Sequence, residues 1–571
     1  MQQLRPPIHK VLVEKDVPAR MRDAAILRSV VYRPSAGGRF PVLLTRTPYG
    51  SDDAVSDDRA REFAERGYVA IRQDIRGRYA SDGVFANAVL GVSHTEVEDG
   101  YDSVQWAAAL PYANGAVGTF GISYDGWTAW PLAASQPPAL KAMTSGAIVA
   151  DSRDRDLCGI WRVATQVYGP ATVACDVRRR SDDDSGAQSV EQFERRWQDT
   201  YHKWLWFLPL SELPDEVYGR ALGPQVRMYL KNIAQGNHFG DSYHAQVRVP
   251  CLHITGWYDF HVLAYKRFMD MKKVADAGLA RENQKLIIGP WRHNVMAMDR
   301  LEGDVDFGPE ADCSYTEILC RWYDYWLQGI DNGVMEEAPV QLFVMGENRW
   351  RHEQDFPLPQ TRRMTYYLHS QGSAATPRGD GTLDALVPGD EPTDQFTYDA
   401  RDPVPSLLNF IRQPTPRDQH LLAHRRDILV FQSAPLPDDV LVIGIPRVVL
   451  YVASTARDTD FFVRLIDVHP NGLAVNVCMG VMRMRYRNGL DSPKLLTPNE
   501  PVKLEIQMLP TANRFFAGHR IRVDITSSDF PNFDRNHNTG GDDYQEARLE
   551  VARNSVFHDR QRPSSIELPT I

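Results

Sequence analysis

The stretch "TFGISYDGWTAW", residues 119–130, sets a serine in a gap of small residues between an apolar run and a helix-like segment. Serine is neither a strong strand former nor a strong helix former, so its placement calls for a turn. A tight strand-to-helix turn pushes the side chain at its apex out of the backbone. The hydroxyl of Ser123 would then be exposed, and the next backbone N–H, that of Tyr124, would be aimed where an oxyanion could bind. Gly121 and Gly126 let such a turn pack. The generic pattern is G-x-S-x-G, and here Asp125 takes the last position with glycine one residue later.

Outward from this turn, short apolar runs alternate with amphipathic stretches. "FPVLLTRTPYG" (40–50) reads as a strand ending in a Pro/Gly turn, "DDRAREFAERG" (57–67) as a helix stopped by Gly67, and "YVAIRQDIRG" (68–77) as a second strand. In "VEDGYDSVQWAAAL" (97–110), Tyr101, Val104 and Ala108 fall on one helical face, and "GAVGTFGIS" (115–123) is a buried strand leading into Ser123. This rhythm predicts an α/β fold with a mostly parallel sheet covered on both sides. Between about 148 and 245 the strand signal gives way to helical spacing, as in "VEQFERRWQDTYHKWLWF" (190–207), which predicts a helical insertion. The α/β rhythm resumes with "VPCLHITGWYDF" (249–260) and "QKLIIGPWRH" (284–293). After roughly residue 350 the period becomes two, as in "VKLEIQM" (502–508) and "RIRVDIT" (520–526), which predicts a β-sandwich or jelly roll. The expected division is therefore an α/β domain in two parts (1–147 and 246–350), a helical cap (148–245) and a C-terminal β-domain (351–571).

The bulk composition excludes several classes of function. With 43% apolar and 24% charged residues the chain is ordinary globular protein, and its 571 residues call for more than one domain. A net charge of −10 opposes a phosphate backbone, and the basic run Arg178 to Arg180 is answered at once by Asp182 to Asp184. No secretory signal and no apolar run of about 18 residues is seen, so the expectation is a cytoplasmic protein without nucleic-acid or membrane partners, oligomerisation being left open. The six cysteines are scattered without a C-x-x-C pair, which fits neither a zinc site nor a disulfide framework. No metal and no organic cofactor is expected.

Reactive groups in an open α/β sheet gather at the carboxyl ends of strands. Three residues meet that condition: Ser123, Asp259 closing "CLHITGWYD", and His293 following "KLIIGPWR". Their order along the chain, Ser then Asp then His, is that of α/β-hydrolases, and the Asp259–His293 gap holds one helix and one strand. In this reading His293 takes the proton of Ser123 while Asp259 fixes the imidazole tautomer. Each residue has an ordinary structural alternative, as a turn serine, a helix-capping aspartate and a packing histidine; the ordered strand-end pattern is what favours chemistry. His253, inside its strand, and His261, too close to Asp259, are the competing bases.

A set of motifs then resembles a known family. "RTPYG" (46–50), "QDIRGRYASDG" (73–83), "GTFGISYDGW" (118–127), "GWYDF" (256–260), "GPWRH" (289–293), "DFFVRLIDVHPNG" (460–472) and "SSDFPNFDRNHNTG" (527–540) are similar, in order, to those of the cocaine esterase and X-prolyl dipeptidyl peptidase group of serine hydrolases. The resemblance implies an α/β-hydrolase domain, an inserted helical cap and a C-terminal jelly roll, and it accounts for the displaced glycine. It also assigns the Tyr49 hydroxyl as second oxyanion donor beside the Tyr124 N–H. Asp74, Arg76 and Arg78 are read as a structural network.

For the substrate pocket the candidates are Trp161 and Phe260, where related hydrolases place aromatics, with Leu408 and Phe410 reaching the cleft from the β-domain. Trp204, Trp206, Phe207 and Trp257 are further aromatic candidates. Relatives that cleave α-amino acid esters hold the ammonium with carboxylates soon after the triad aspartate; here Phe260, His261 and Val262 follow, leaving only Asp151, Asp154 or Asp156 as substitutes. The polar "NFDRNHNTGGDD" run (532–543) reads as a structural turn. The expected function is a serine hydrolase acting on a carboxylic ester of a small or medium, partly apolar or aromatic substrate through an acyl-enzyme. The alternatives are an amidase, acylase or X-prolyl peptidase with the same machinery, and a glycan- or partner-binding protein with a relic hydrolase domain.

Overall fold

A computed structural model describes residues 5–52, 54–87, 95–149, 151–234, 243–273, 278–293, 295, 297–375, 378–408 and 414–571. Its first domain is built on a ten-stranded sheet. The strands are β1 (Val11–Arg20), β2 (Ile26–Pro34), β3 (Phe40–Thr47), β4 (Val69–Asp74), β5 (Ala113–Thr119), β6 (Leu140–Gly146), β7 (Cys251–Gly256), β8 (Gln284–Gly289), β9 (Val340–Val344) and β10 (Arg349–Glu353). They lie in the order β1-β2-β4-β3-β5-β6-β7-β8-β9-β10. The run from β4 to β9 is parallel, with antiparallel pairs at the two margins. Parallel strands are covered on both faces, which is why β4, β7 and β8 are buried along their whole length. On one face lie helices Ala54–Glu65 and Tyr315–Gln328, packed through Phe63, Trp322 and Tyr323. On the other lie Glu96–Ala108 and Tyr124–Ala134, packed through Val104, Trp130 and Leu132.

Between β6 and β7 the chain leaves the sheet to form helices Val163–Arg180, Val190–Leu205 and Asp215–Lys231, which close over a core holding Trp161, Trp197, Trp204 and Leu222. From Arg362 to Thr570 the chain forms a thirteen-stranded β-domain whose strand pairs are antiparallel, apart from Thr382–Leu383 beside Gln432–Ser433. Strand Val502–Gln507 alternates burial as its period of two predicts. Strand Arg520–Thr526 does not: its polar face is buried too, because Arg522 and Asp524 neutralise each other through hydrogen bonds of 2.7 and 2.8 Å. β10 pairs back onto β9, so the first sheet runs to Glu353 and the seam with the β-domain lies beyond it. One apolar core crosses that seam, joining Trp257, Leu286 and Leu342 to Phe461, Leu504 and Ile506. All six cysteines are unpaired. Among the described residues no helix is long and apolar enough to cross a membrane.

Candidate active site

Ser123 stands between the end of β5 and helix Tyr124–Ala134 with φ 60° and ψ −126°, a conformation that a non-glycine residue adopts only when its surroundings impose it. The surroundings are visible. The Ser123 N–H donates to the Gly146 carbonyl of β6 at 2.9 Å, and the Ser123 carbonyl accepts the Trp127 N–H at 2.8 Å. A Cβ on Gly121 would lie 2.5 Å from the Asp125 carbonyl carbon, and one on Gly126 would lie 2.9 Å from the Gly146 oxygen. Both glycines are therefore required by close approach of backbone, and the second is required at position 126, which explains the shifted motif. Asp125 falls in the first turn of the helix, where its charge favours the positive end of the helix dipole.

Asp259 and His293 follow β7 and β8, the two strands that come after β6 in the sheet order. His293 Nδ1 lies 2.9 Å from Asp259 Oδ1. A carboxylate only accepts, so Nδ1 carries the proton and Nε2 is left as the acceptor. The same Asp259 oxygen accepts the His261 N–H at 2.7 Å, which fixes the carboxylate from its own loop, while Asp259 Oδ2 is buried without a partner among the described residues. The ring of Phe260 lies 4.1 Å from that of His293, centroid to centroid, and tilted 34° to it. Ser123 and His293 line one cavity of about 350 Å³ together with Tyr49, Tyr124, Phe260 and His261. No hydrogen bond joins Ser123 to His293 among the described residues.

Tyr49 enters this cavity from the loop after β3 and shares its wall with Ser123. Desolvation first and the Asp125 carboxylate second push that phenol above its ordinary range, so it stays a proton donor. Arg78 supports the loop: its Nε donates to the Pro48 carbonyl and its Nη1 to the Val173 carbonyl of the first cap helix, both at 2.7 Å. Tyr79 adds a bond from its hydroxyl to the Tyr49 carbonyl at 2.6 Å. The Asp74 and Arg76 side chains serve neighbouring turns, Asp74 receiving the Ser51 N–H at 2.6 Å and Arg76 pairing with Asp99 at 2.6 Å.

The remaining pocket candidates separate. Phe260 borders the Ser123 cavity and also a second chamber of about 70 Å³ behind Asp259, and Leu408 borders only that rear chamber. Trp161 is buried in the cluster that holds the cap's apolar side chains and is not in the cavity wall. Trp204 packs there too, Trp206 lies against Phe530 at 4.6 Å, and Trp257 belongs to the core at the domain seam. Phe410 lies outside the described residues. His253 is buried with Nε2 at 2.8 Å from Gln284 Oε1, remote from the cavity wall, and burial lowers its pKa to about 4. The residue that sequence reasoning set aside is His261, a cavity-lining imidazole; the only signal for it was its place two residues after Asp259.

Comparison with known proteins gives a consistent picture. Residues 23–295 match the family model described as X-Pro dipeptidyl-peptidase (S15 family), and residues 332–567 match the X-Pro dipeptidyl-peptidase C-terminal non-catalytic domain. The chain is 33% identical to the cocaine esterase of Rhodococcus sp. (strain MB1 Bresler) over 98% of each sequence. It is 26% identical to a putative serine esterase of Mycobacterium bovis, over 92% of this chain and 89% of that one. In structure it resembles an aminopeptidase from a marine sediment Thaumarchaeota archaeon, with TM-score 0.77 at 21% identity, over 100% of this chain and 98% of the other.

Proposed function

Because the chain belongs to the cocaine esterase and X-prolyl dipeptidyl-peptidase group of α/β-hydrolase serine hydrolases, we propose that Ser123, His293 and Asp259 are the triad of its ester-hydrolysing activity. The observation that carries this reading is the strained Ser123 backbone at a cavity shared with a His293 already bonded to Asp259 at 2.9 Å. His293 Nε2 takes the hydroxyl proton as Ser123 Oγ attacks the ester carbonyl, and the oxyanion that forms is received by the Tyr49 hydroxyl and the Tyr124 N–H. Collapse expels the alcohol, which leaves with the proton from His293. Water, deprotonated by the same imidazole, then releases the acid and restores Ser123.

A cavity of about 350 Å³ suits a small or medium substrate, and the Phe260 ring gives it an apolar wall. A peptidase reading would need a carboxylate to hold a substrate ammonium. The three cap candidates are engaged instead: Asp151 with Arg153, Asp154 with Lys266 and Asp156 with Arg155. That pairing favours the ester reading with an uncharged acyl group. Labelling with a fluorophosphonate tests the triad. The folded wild type should be modified and Ser123→Ala should not; equal labelling of both proteins, or none of the wild type, rejects the reading.

A further inference from the structure

Strands Asp460–Val468 and Arg520–Thr526 pair antiparallel with Val468 opposite Arg520, so the next residues outward, His469 and His519, meet across one end of the β-domain sheet. Their rings lie 4.4 Å apart between centroids and are tilted by 35°. Asp467 brings one carboxylate to both rings, with Oδ1 at 2.8 Å from His519 Nδ1 and Oδ2 at 3.9 Å from His469 Nε2. Two closed turns hold the imidazoles in place. The His469 N–H donates to the Leu473 carbonyl at 2.8 Å, and the His519 N–H donates to the Phe516 carbonyl at 3.0 Å. The Leu436 N–H, on the His519 carbonyl at 2.8 Å, fixes the second turn from a third segment of chain.

The Asp467–His519 hydrogen bond alone would lock its turn and needs no further histidine. It leaves unexplained the second imidazole, which faces the free carboxylate oxygen from beyond hydrogen-bond length. No lysine or arginine pairs with Asp467 among the described residues, so no fixed cation competes for its charge. A second imidazole–carboxylate cluster, His537 with Asp543 and Glu546, differs on this point: Arg483 and Arg485 reach Asp543 at 3.0 and 3.5 Å and oppose a bound cation. The first cluster is also open to solvent, the His469 side chain being 35% exposed and that of His519 12%.

We propose that Asp467, His469 and His519 form a binding site for a divalent transition-metal ion of the zinc class, with water completing the coordination. One donor atom from each residue lies within 4.8 Å of the other two. Zinc holds nitrogen and oxygen ligands at about 2.0–2.2 Å, which sets them about 3.4 Å apart around a tetrahedron, so each donor has to move by about 1 Å or less. His519 Nδ1 exchanges its bond to the carboxylate for the metal, and the ring keeps its proton on Nε2. Two imidazoles with one carboxylate suit zinc, copper or nickel, whereas calcium and magnesium take mainly oxygen ligands. An ion bound here joins the two turns, and because the unfolded chain has no preformed site, binding stabilises the folded β-domain. None of the three residues lines the Ser123 cavity, so the site stands apart from the triad and does not depend on it.

Untagged full-length protein, stripped of metal with a chelator and titrated with Zn²⁺ against a chromophoric competitor, tests the site. The wild type should bind one equivalent that His469→Ala and His519→Ala each weaken by about a hundredfold or more, since losing a group that merely orients a ligand already costs about 10–100-fold. Zn²⁺ should raise the Tm of the wild type and leave that of His469→Ala unmoved, and Ca²⁺ and Mg²⁺ should move neither. Co²⁺ should give the visible absorption of a four-coordinate ion in the wild type alone. His469 sits on an exposed turn, so its alanine variant keeps the test open even where His519→Ala misfolds, and circular dichroism checks both. A wild type that binds no Zn²⁺, binding that both variants leave unchanged, or Ca²⁺ bound as tightly as Zn²⁺ overturns the proposal.

Discussion

Arg78 reaches the Pro48 carbonyl with its Nε at 2.7 Å, one residue before Tyr49, while its other arm holds the Val173 carbonyl of the cap. One buried guanidinium thereby ties the proposed oxyanion tyrosine to the lid above it. Two carbonyls lose their donor in Arg78→Met, and unsatisfied buried groups cost about 1–3 kcal/mol each. The expected result is a lower Tm together with a lower kcat. Arg78→Lys should recover little, because an ammonium lacks the planar fork that spans both acceptors. Differential scanning fluorimetry alongside ester turnover checks this; an unchanged Tm would show that the clamp is dispensable.

Tyr49→Phe removes only the phenolic donor. Loss of one oxyanion donor lowers kcat by roughly a hundredfold to a thousandfold, or about 2.7–4 kcal/mol in the barrier. The effect should appear in kcat, with KM changed little, since the donor acts on charge that develops during reaction. Steady-state kinetics on one aryl ester decides the matter, and a loss confined to KM would place Tyr49 in ground-state binding.

Asp259→Asn keeps the shape of the acid but lets the amide present its NH2 to His293, so the imidazole takes the tautomer that cannot accept the serine proton. In triads of this type the change lowers kcat by about 10⁴. Circular dichroism should show an intact fold, so that the loss is chemical. Retention of more than a tenth of wild-type kcat would exclude Asp259 as the orienting acid.

His253 couples pH to stability. Its pKa of about 4 in the folded chain lies below the ordinary 6.5, chiefly through burial. Between those values the unfolded chain binds a proton that the folded chain refuses, so this contribution is whole above pH 6.5 and is lost as pH falls toward 4. The limiting slope for one such group is about 1.4 kcal/mol per pH unit. His253→Gln, which carries no titrating group, should lose less Tm than the wild type between pH 7 and pH 5. Parallel Tm curves would contradict the assignment.

What could be read from the chain without coordinates follows from where the determinants are local. Ser123, Asp259 and His293 each sit at the end of an apolar run with a turn signal, and local pattern marks such positions well. The α/β rhythm and the change to period two near residue 350 are local in the same way. Trp161 is less legible: aromatic residues at helical spacing look alike whether they face a cavity or a core, and only the three-dimensional surroundings place this one in a buried cluster. Strand Arg520–Thr526 hid its second buried face because burial of Arg522 and Asp524 depends on their pairing. His261 escaped for a related reason. Its place in the cavity wall beside His293 is a property of three-dimensional surroundings that no spacing encodes.

The central claim is that Ser123 Oγ becomes acylated during turnover. Rapid acid quench of the wild type with a p-nitrophenyl ester, followed by digestion and mass spectrometry, should find the acyl mass on the peptide containing Ser123, accompanied by a burst of p-nitrophenol. An acyl group found on a different residue, or full turnover with Ser123 never modified, would contradict the account.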